Sequence, residues 1–476
     1  MTVAALATET VPRSLARVSD ISALLTVARF GLDPLGEMMR LRARHGRLAE
    51  ISFQSGKKTR RYLLASGARY NKRVLSDVET FQSIGVMLNG PQGSAQRRIA
   101  NGLLGPAGPQ QAHYRRILLP PLRRTAVDQL TGKIATIVTR EIDGWPLDAP
   151  SDLFALCKSL VTRAALEALF PRDEAGCSEE MLAAAKLIDE HIELEASPLV
   201  RGMPRDWPGL PYARVLRHAE KVEAGLLAWA RKEADAGRAD NLMCVLAGTP
   251  DESGADAGEK AILNQLPTLF GAAYETTQTA LAWALFLLAQ HPAAHAALLE
   301  ELQALPDDSP ERLLECKWPD AVVRESMRLL PSVPTQTRRV TRDADLVDCD
   351  VEAGSYVVLS AFLTNREPDV YGQPDRFMPE RWSRIDPGQF EYLAFSAGPR
   401  TCIGSSFAAN FLRIAVGRIV RRYRVQIGAG ARIDHKVRIT LKPGRGGLPV
   451  TLTAQDGRFQ ASAISGSIRK IVRFDT

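Results

Sequence analysis

Disulfide chemistry has little to work with in this 476-residue chain, whose six cysteines, Cys157, Cys177, Cys244, Cys316, Cys349 and Cys402, are scattered without a C-x-x-C pair. That spacing speaks against a disulfide framework and for a reducing, cytoplasmic location. Zinc-ligand spacing, a G-x-x-x-x-G-K-[ST] phosphate loop and an RNA-binding aromatic motif are all missing, so a nucleic-acid partner has nothing behind it but the net charge of +7, and none is expected. A membrane surface or an acidic protein partner would suit that charge equally well. No G-x-G-x-x-G follows a strand pattern, which removes a built-in flavin or nicotinamide site, and the length leaves no space for a fused reductase. Residues 1–45 hold no apolar run of about 18 to 20 residues, because Glu9, Arg13, Arg17, Asp20, Arg29 and Asp33 interrupt them. Neither a transmembrane anchor nor a cleaved secretory leader is expected, and the arginines and alanines there give only a weak organelle-targeting pattern.

What is present is an ample core: 45% of residues are hydrophobic and 24% charged, the composition of a globular fold. Residues 34–46 read as a helix closed by Gly46, followed by a strand pair, and 112–305 are mostly helical by their three- and four-residue apolar spacing. Four prolines between 196 and 211 predict a long surface loop, either a lid or an inert connector. Beyond 332 short alternating segments predict strands, with one more helix near 404–423. The fold class is mainly α with minor β sheets, divided into an N-terminal segment 1–30, a catalytic domain 31–455 and a polar, basic tail 456–476 with no assigned role.

The most specific segment runs from Phe395 through Gly398, Arg400 and Cys402 to Gly404 and leads at once into an apolar helical pattern. A lone cysteine is usually a small buried hydrophobe, which leaves these neighbours unexplained. Five fixed positions arise by accident in a chain of this length on the order of once in ten thousand cases. The segment resembles the haem-binding loop of cytochromes P450, F-x-x-G-x-R-x-C-x-G. A thiolate pushes electron density onto haem iron and favours O–O cleavage. The following helix start is expected to lower the Cys402 thiol pKa, and the two glycines to let backbone approach a flat macrocycle. The resemblance implies Cys402 as the metal ligand, Arg400 on a haem propionate and Phe395 shielding the sulfur.

Glu325 and Arg328 resemble the family's E-x-x-R helix pair, with Arg381 as third member of a buried triad; a surface ion pair is the ordinary meaning of that spacing. The triad implies a folding and haem-retention role. The apolar run from Ile262 to Ala289 is broken by Tyr274, Glu275, Thr276, Thr277 and Gln278, polar groups that need partners in a buried helix. They face solvent, back-bond to carbonyls, or do chemistry. Residues 272–277 resemble the family's oxygen-binding motif, which makes Glu275 and Thr276 the proton-delivering pair. Ala273 stands where that motif usually has Gly and is expected to narrow the groove.

The resemblance also puts Arg115 and Arg338 on propionates, with Arg339 as rival to Arg338, His113 as either a further contact or an ordinary histidine, and Gln111 where an aromatic or His is common. It places substrate contacts in 84–108, a stretch that reads as flexible and Gly-rich. Arg413, Arg418, Arg421, Arg422 and Arg424, with Arg123 and Arg124, are either a solvated face or a docking face for an acidic partner. Together these resemblances to the family imply a haem-thiolate monooxygenase that holds haem b (iron protoporphyrin IX), takes O2 and electrons from a ferredoxin or flavodoxin-type donor with its reductase, and oxygenates a lipophilic small molecule. The alternatives are a peroxide-driven or rearranging haem-thiolate enzyme and a non-catalytic haem-based ligand sensor.

Overall fold

The computed structural model describes residues 17–474 except 19, 56–57, 101, 171–175, 208, 237–240 and 249–256. Most of the N-terminal segment, including residues 1–16, therefore lies outside the described residues.

Local chemistry sets the element ends. Helix α1 (Pro34–His45) starts where the Asp33 carboxylate accepts the Gly36 N–H at 3.0 Å and stops at Gly46, whose φ of 78° suits glycine. Strands β1 (Arg17–Val18), β2 (Leu48–Ser55), β3 (Lys58–Ala65), β4 (Phe81–Ser83), β5 (Thr335–Val340) and β6 (Tyr356–Ser360) form one sheet of order β1-β2-β3-β6-β5-β4. The expected strand pair is β2 and β3, antiparallel with Leu48 opposite Ala65. A smaller sheet joins 150–152, 423–427 and 449–454, and a short hairpin pairs β7 (His435–Val437) with β8 (Leu441–Pro443).

The helical body includes α2 (Ala68–Ser76), α3 (Pro109–Leu118), α4 (Leu153–Leu169), α5 (Glu179–Glu195), α6 (Pro211–Asp235), α7 (Ala257–Ala289), α8 (Pro292–Gln303), α9 (Lys317–Leu329) and α10 (Ser405–Arg422). Helix α7 is apolar on all sides and runs through the core against α4, α5, α6, α9 and α10. Its bend into α8 makes these two the one pair whose combined length and hydropathy suit a membrane; among the described residues no single helix is long and apolar enough to cross one.

Two stretches differ from expectation. The 84–108 segment holds a short helix (Ala95–Ala100), and Gly102 presses so closely on α7 that a Cβ there would collide with Thr268 and the Asn264 carbonyl. Side-chain acceptors on a neighbouring helix, invisible to a local pattern, order this loop. The basic tail packs into the main core through Ile468, Ile471, Val472 and Phe474, and Arg366 donates to the Ile471 carbonyl at 2.9 Å. Its charges mask a short apolar stripe. The 196–211 segment is an exposed loop, with one helical turn at Pro198–Gly202.

Candidate active site

The cysteine loop is shaped by one glycine. Gly398 has a φ of 70°, and a Cβ there would lie 2.5 Å from the Leu75 carbonyl of α2. Gly404 is different: its φ is ordinary and a Cβ would meet nothing within 4 Å. The protein itself gives no reason for that glycine, which fits an approach by something flat.

The Phe395 carbonyl accepts the Cys402 N–H at 2.9 Å, pinning the sulfur's residue ahead of α10. Gly404 caps α10 without a side-chain acceptor, and its backbone N–H lies near enough to the Cys402 sulfur to favour the thiolate. Cys402 has one open side and one crowded side, since solvent reaches it while the surrounding protein dominates its ionisation. Burial raises the thiol above its ordinary pKa, against the Gly404 N–H and the positive Arg115. The helix start thus opposes, without overcoming, the loss of water, and a sulfur anion here needs a further cation. A metal ion supplies one.

Three guanidinium groups border the same loop, and among the described residues none of them pairs with a carboxylate. Arg400 donates to the Gly105 carbonyl at 2.8 Å and Arg115 to the Thr401 carbonyl at 2.7 Å. Arg338 donates to Gln336 Oε1 at 3.1 Å, which also accepts from Ser396 at 2.9 Å. Burial, then the charge of Arg400, brings Arg338 down to about 10, and burial lowers Arg115 and Arg400 as well. Among the described residues Arg400 Nη1 is buried without a partner. Buried cations lacking counter-charges are costly, and two propionate groups would satisfy this set. On β5 the alternation turns Arg338 inward and leaves Arg339 exposed, which separates the two rivals. His113 touches the Tyr114 ring edge-on at 5.7 Å, and Gln111 donates weakly to the Leu103 carbonyl at 3.5 Å.

Opposite lies α7. Between Ala261 and Gln290 the residues that escape full burial are Leu269, Ala272, Ala273 and Thr276, an i, i+3, i+4, i+7 set that opens one face of an otherwise enclosed helix. Thr276 Oγ1 donates to the Ala272 carbonyl at 2.7 Å, the back-bonding arrangement. Residues 102–105 connect this face to the cysteine loop, with Leu103 N–H donating to Gln265 at 3.0 Å and the Gly105 carbonyl accepting Arg400. Residues 332–338 do the same on the other side, from Ser332 Oγ donating to the Thr276 carbonyl at 2.8 Å to Gln336 beneath Ser396.

Glu275 points away from that open face and is 6% exposed. It accepts Thr440 Oγ1 at 2.8 Å and pairs with Lys442 Nζ at 2.6 Å, and Lys442 also holds Glu193 at 2.6 Å. Lys442, Thr440, Ser332 and Gln336 escaped the sequence reading, because short polar residues in strand and loop carry no motif. Tyr274 donates to Asp189 on α5, and burial drives its phenol far above the usual range. The glycine of this stretch is Gly271, where a Cβ would come 2.5 Å from Ile192 of α5. Close helix approach is met there, and Ala273 adds its methyl to the open face.

Glu325, Arg328 and Arg381 come together in the core. Arg328 Nε and Nη2 reach the Glu325 carboxylate at 2.9 Å each, and Arg381 Nε at 2.9 Å. Trp382 Nε1 at 3.1 Å and the Met378 N–H at 2.9 Å complete the shell.

A family model described as cytochrome P450 matches residues 56–450. The chain belongs to the cytochrome P450 family. It is 27% identical over 312 residues to cytochrome P450 137 of Mycobacterium tuberculosis strain CDC 1551 / Oshkosh, covering 64% of this chain and 63% of that protein. It therefore spans less than two thirds of that relative's length. To cytochrome P450 135B1 of Mycobacterium bovis it is 29% identical over 345 residues, 70% of each chain. The P450 fold is shared with the solved retinoic acid bound cyanobacterial CYP120A1, at a TM-score of 0.75 and 20% identity over 90% of this chain and 96% of that one.

Proposed function

We propose that this P450 is a haem-thiolate monooxygenase that holds haem b on Cys402 and inserts one oxygen atom of O2 into a lipophilic small molecule. Its electrons would come from a separate ferredoxin or flavodoxin-type donor with its reductase. The observation that carries this reading is the pairing of Cys402 and three carboxylate-free arginines with the open face of α7. Bound through a thiolate, haem supplies dioxygen binding and an electron-rich iron that favours O–O scission.

The chain's own residues divide the remaining work. Arg115, Arg338 and Arg400 would hold the two propionates by charge-assisted bonds in a place where water competes poorly. The Gly404 N–H stabilises negative charge on sulfur, and Phe395, half-buried against the core, would shield it from water. Thr276, its own proton on the Ala272 carbonyl, keeps its oxygen lone pairs free to accept a hydrogen bond from water in the cleft. Glu275, in touch with Thr440 and Lys442 at the far side of α7, is the acid one residue away, and it must turn from those partners to pass a proton toward Thr276. This retained acid and alcohol favour oxygen activation over a peroxide-driven or rearranging reaction.

The electron donor's face is narrower than the arginine count suggests. Arg418, Arg421, Arg422 and Arg424 each bond locally, to Thr139, the Asp307 carbonyl, Asp143 and Asp456, and Arg413 donates to the Leu314 carbonyl. Of that set Arg123 has no such bond among the described residues and, with the highly exposed Arg124, is left to steer an acidic partner. The test is the carbon monoxide spectrum of the reduced protein. The thiolate-type long-wavelength Soret band is expected, and Cys402→Ala should abolish it; a band at the imidazole-type position, or one that survives the substitution, overturns the reading.

A further inference from the structure

The cysteine loop has a second bend, and no glycine makes it. Ser396 has a φ of 60°, the left-handed region that residues with a Cβ avoid. What gives this bend its importance is the peptide it turns. The φ of Ser396 is the rotation about the bond joining its Cα to the Phe395–Ser396 peptide. The carbonyl of that peptide accepts the Cys402 N–H at 2.9 Å, and its N–H donates to the Leu393 carbonyl at 3.2 Å. Relaxing Ser396 to an ordinary φ would swing the Phe395 carbonyl away from Cys402.

Such a conformation persists only where the surroundings over-determine it. Here a side chain contributes: Ser396 Oγ donates to Gln336 Oε1 at 2.9 Å. Gln336 stands on β5 opposite Leu359 of β6, and β5 lies inside the main sheet between β6 and β4. The serine is therefore held by a rigid element and not by another loop.

Strand alternation puts Gln336 on the same face as Arg338, two residues on, while Arg339 faces solvent. The same Oε1 accepts Arg338 Nη2 at 3.1 Å. One amide oxygen thus takes two bonds, using both lone pairs. One donor sets the bend that carries Cys402, and the other is the buried guanidinium assigned to a propionate. Without that acceptor Arg338 keeps only the Thr337 carbonyl, at 3.2 Å, among the described residues.

We infer that Gln336 is a positioning residue that ties the two attachments of the cofactor together, fixing Ser396, and through it the backbone of Cys402, in register with Arg338. This rests on the haem-thiolate reading and adds to it a residue outside the motifs that mark the site.

Two readouts on the haem-loaded protein separate the two bonds. The carbon monoxide band of the reduced protein reports the sulfur, and the rate of haem transfer to apomyoglobin reports retention. Gln336→Leu removes the acceptor at similar size. It is expected to move much of the band to the shorter-wavelength position of a cysteine that no longer binds as thiolate, and to speed haem transfer at least about tenfold. Gln336→Glu keeps an acceptor oxygen and should keep the band. Ser396→Ala should move the band as Gln336→Leu does, whereas Ser396→Gly, free to hold a φ of 60° unaided, should not. In the variant Gln336→Leu/Ser396→Gly the band should stay at long wavelength while haem transfer remains fast, because Arg338 has still lost its acceptor. An undisturbed band in Gln336→Leu, or a band displaced equally with and without the added Ser396→Gly, overturns the inference while leaving the haem-thiolate reading intact. Absence of the band from the unaltered protein overturns that reading and this inference with it.

Discussion

Two buried carboxylates divide this molecule into a fixed half and an adjustable one. Glu325, behind the cysteine loop, has no exposure and accepts from Arg328, Arg381, Trp382 and the Met378 backbone. Arg328 in turn donates to the Asn365, Pro374 and Arg376 carbonyls. Glu275, on the opposite side of the cleft, depends on a threonine and a lysine from a surface hairpin, and the lysine is shared with an exposed glutamate. Both acids are buried, yet one belongs to a closed network and the other to a chain of single links leading to solvent. The first arrangement fixes two guanidinium groups in the core. The second leaves an acid able to turn.

The contrast breaks first, if it breaks, at Glu325. Glu325→Ala strands two buried guanidinium groups, so a loss of about 3 to 5 kcal/mol is expected, read by denaturant unfolding together with haem content. A loss under about 1 kcal/mol would place the triad among ordinary surface pairs.

Acid titration probes the same half through His295. Buried against Phe459 with Nε2 unpartnered among the described residues, it has its pKa lowered to about 4 by burial. A histidine whose folded pKa is depressed gives stability that is full above its unfolded value and lost as pH falls. The window therefore runs from about 6.5 down to about 4, with a loss on the order of 3 kcal/mol. His295→Leu should flatten that limb of the stability–pH curve, and an unchanged limb would assign acid sensitivity elsewhere.

On the adjustable side, Lys442→Met should cost less stability, about 2 kcal/mol, but should shift the pH dependence of substrate oxidation and lower the product formed per reduced cofactor consumed. Unchanged coupling would mean that Glu275 acts independently of the hairpin. The smallest effect belongs to Arg339→Ala, within about 0.5 kcal/mol and without loss of haem. Arg338→Ala, one residue away, should release haem measurably under dilution.

Legibility in the sequence follows the same division. The cysteine loop and the E-x-x-R pair are local strings whose residue types are fixed by chemistry, so Phe395, Gly398, Arg400, Cys402, Glu325 and Arg328 could be picked out before any coordinates. Arg338 and Arg339 were distinguishable only once strand alternation gave each a side. Lys442 and Thr440 could not be found, because their partner Glu275 lies some 165 residues earlier and nothing local marks a lysine in a hairpin as buried. The C-terminal segment misled for a related reason, since its arginines and serines dilute four apolar residues that pack in the core.

The contact between Gly398 and the Leu75 carbonyl has a kinetic meaning too. Its two sides are more than three hundred residues apart, so the bend that carries Cys402 takes shape only after a helix from the first fifth of the chain has docked. Closing so long a loop is slow and entropically expensive, which makes the final shape of the cysteine loop a late event in folding. An excised fragment spanning residues 390–425 should therefore contain the cysteine and the helix behind it and still be unable to present them as a site.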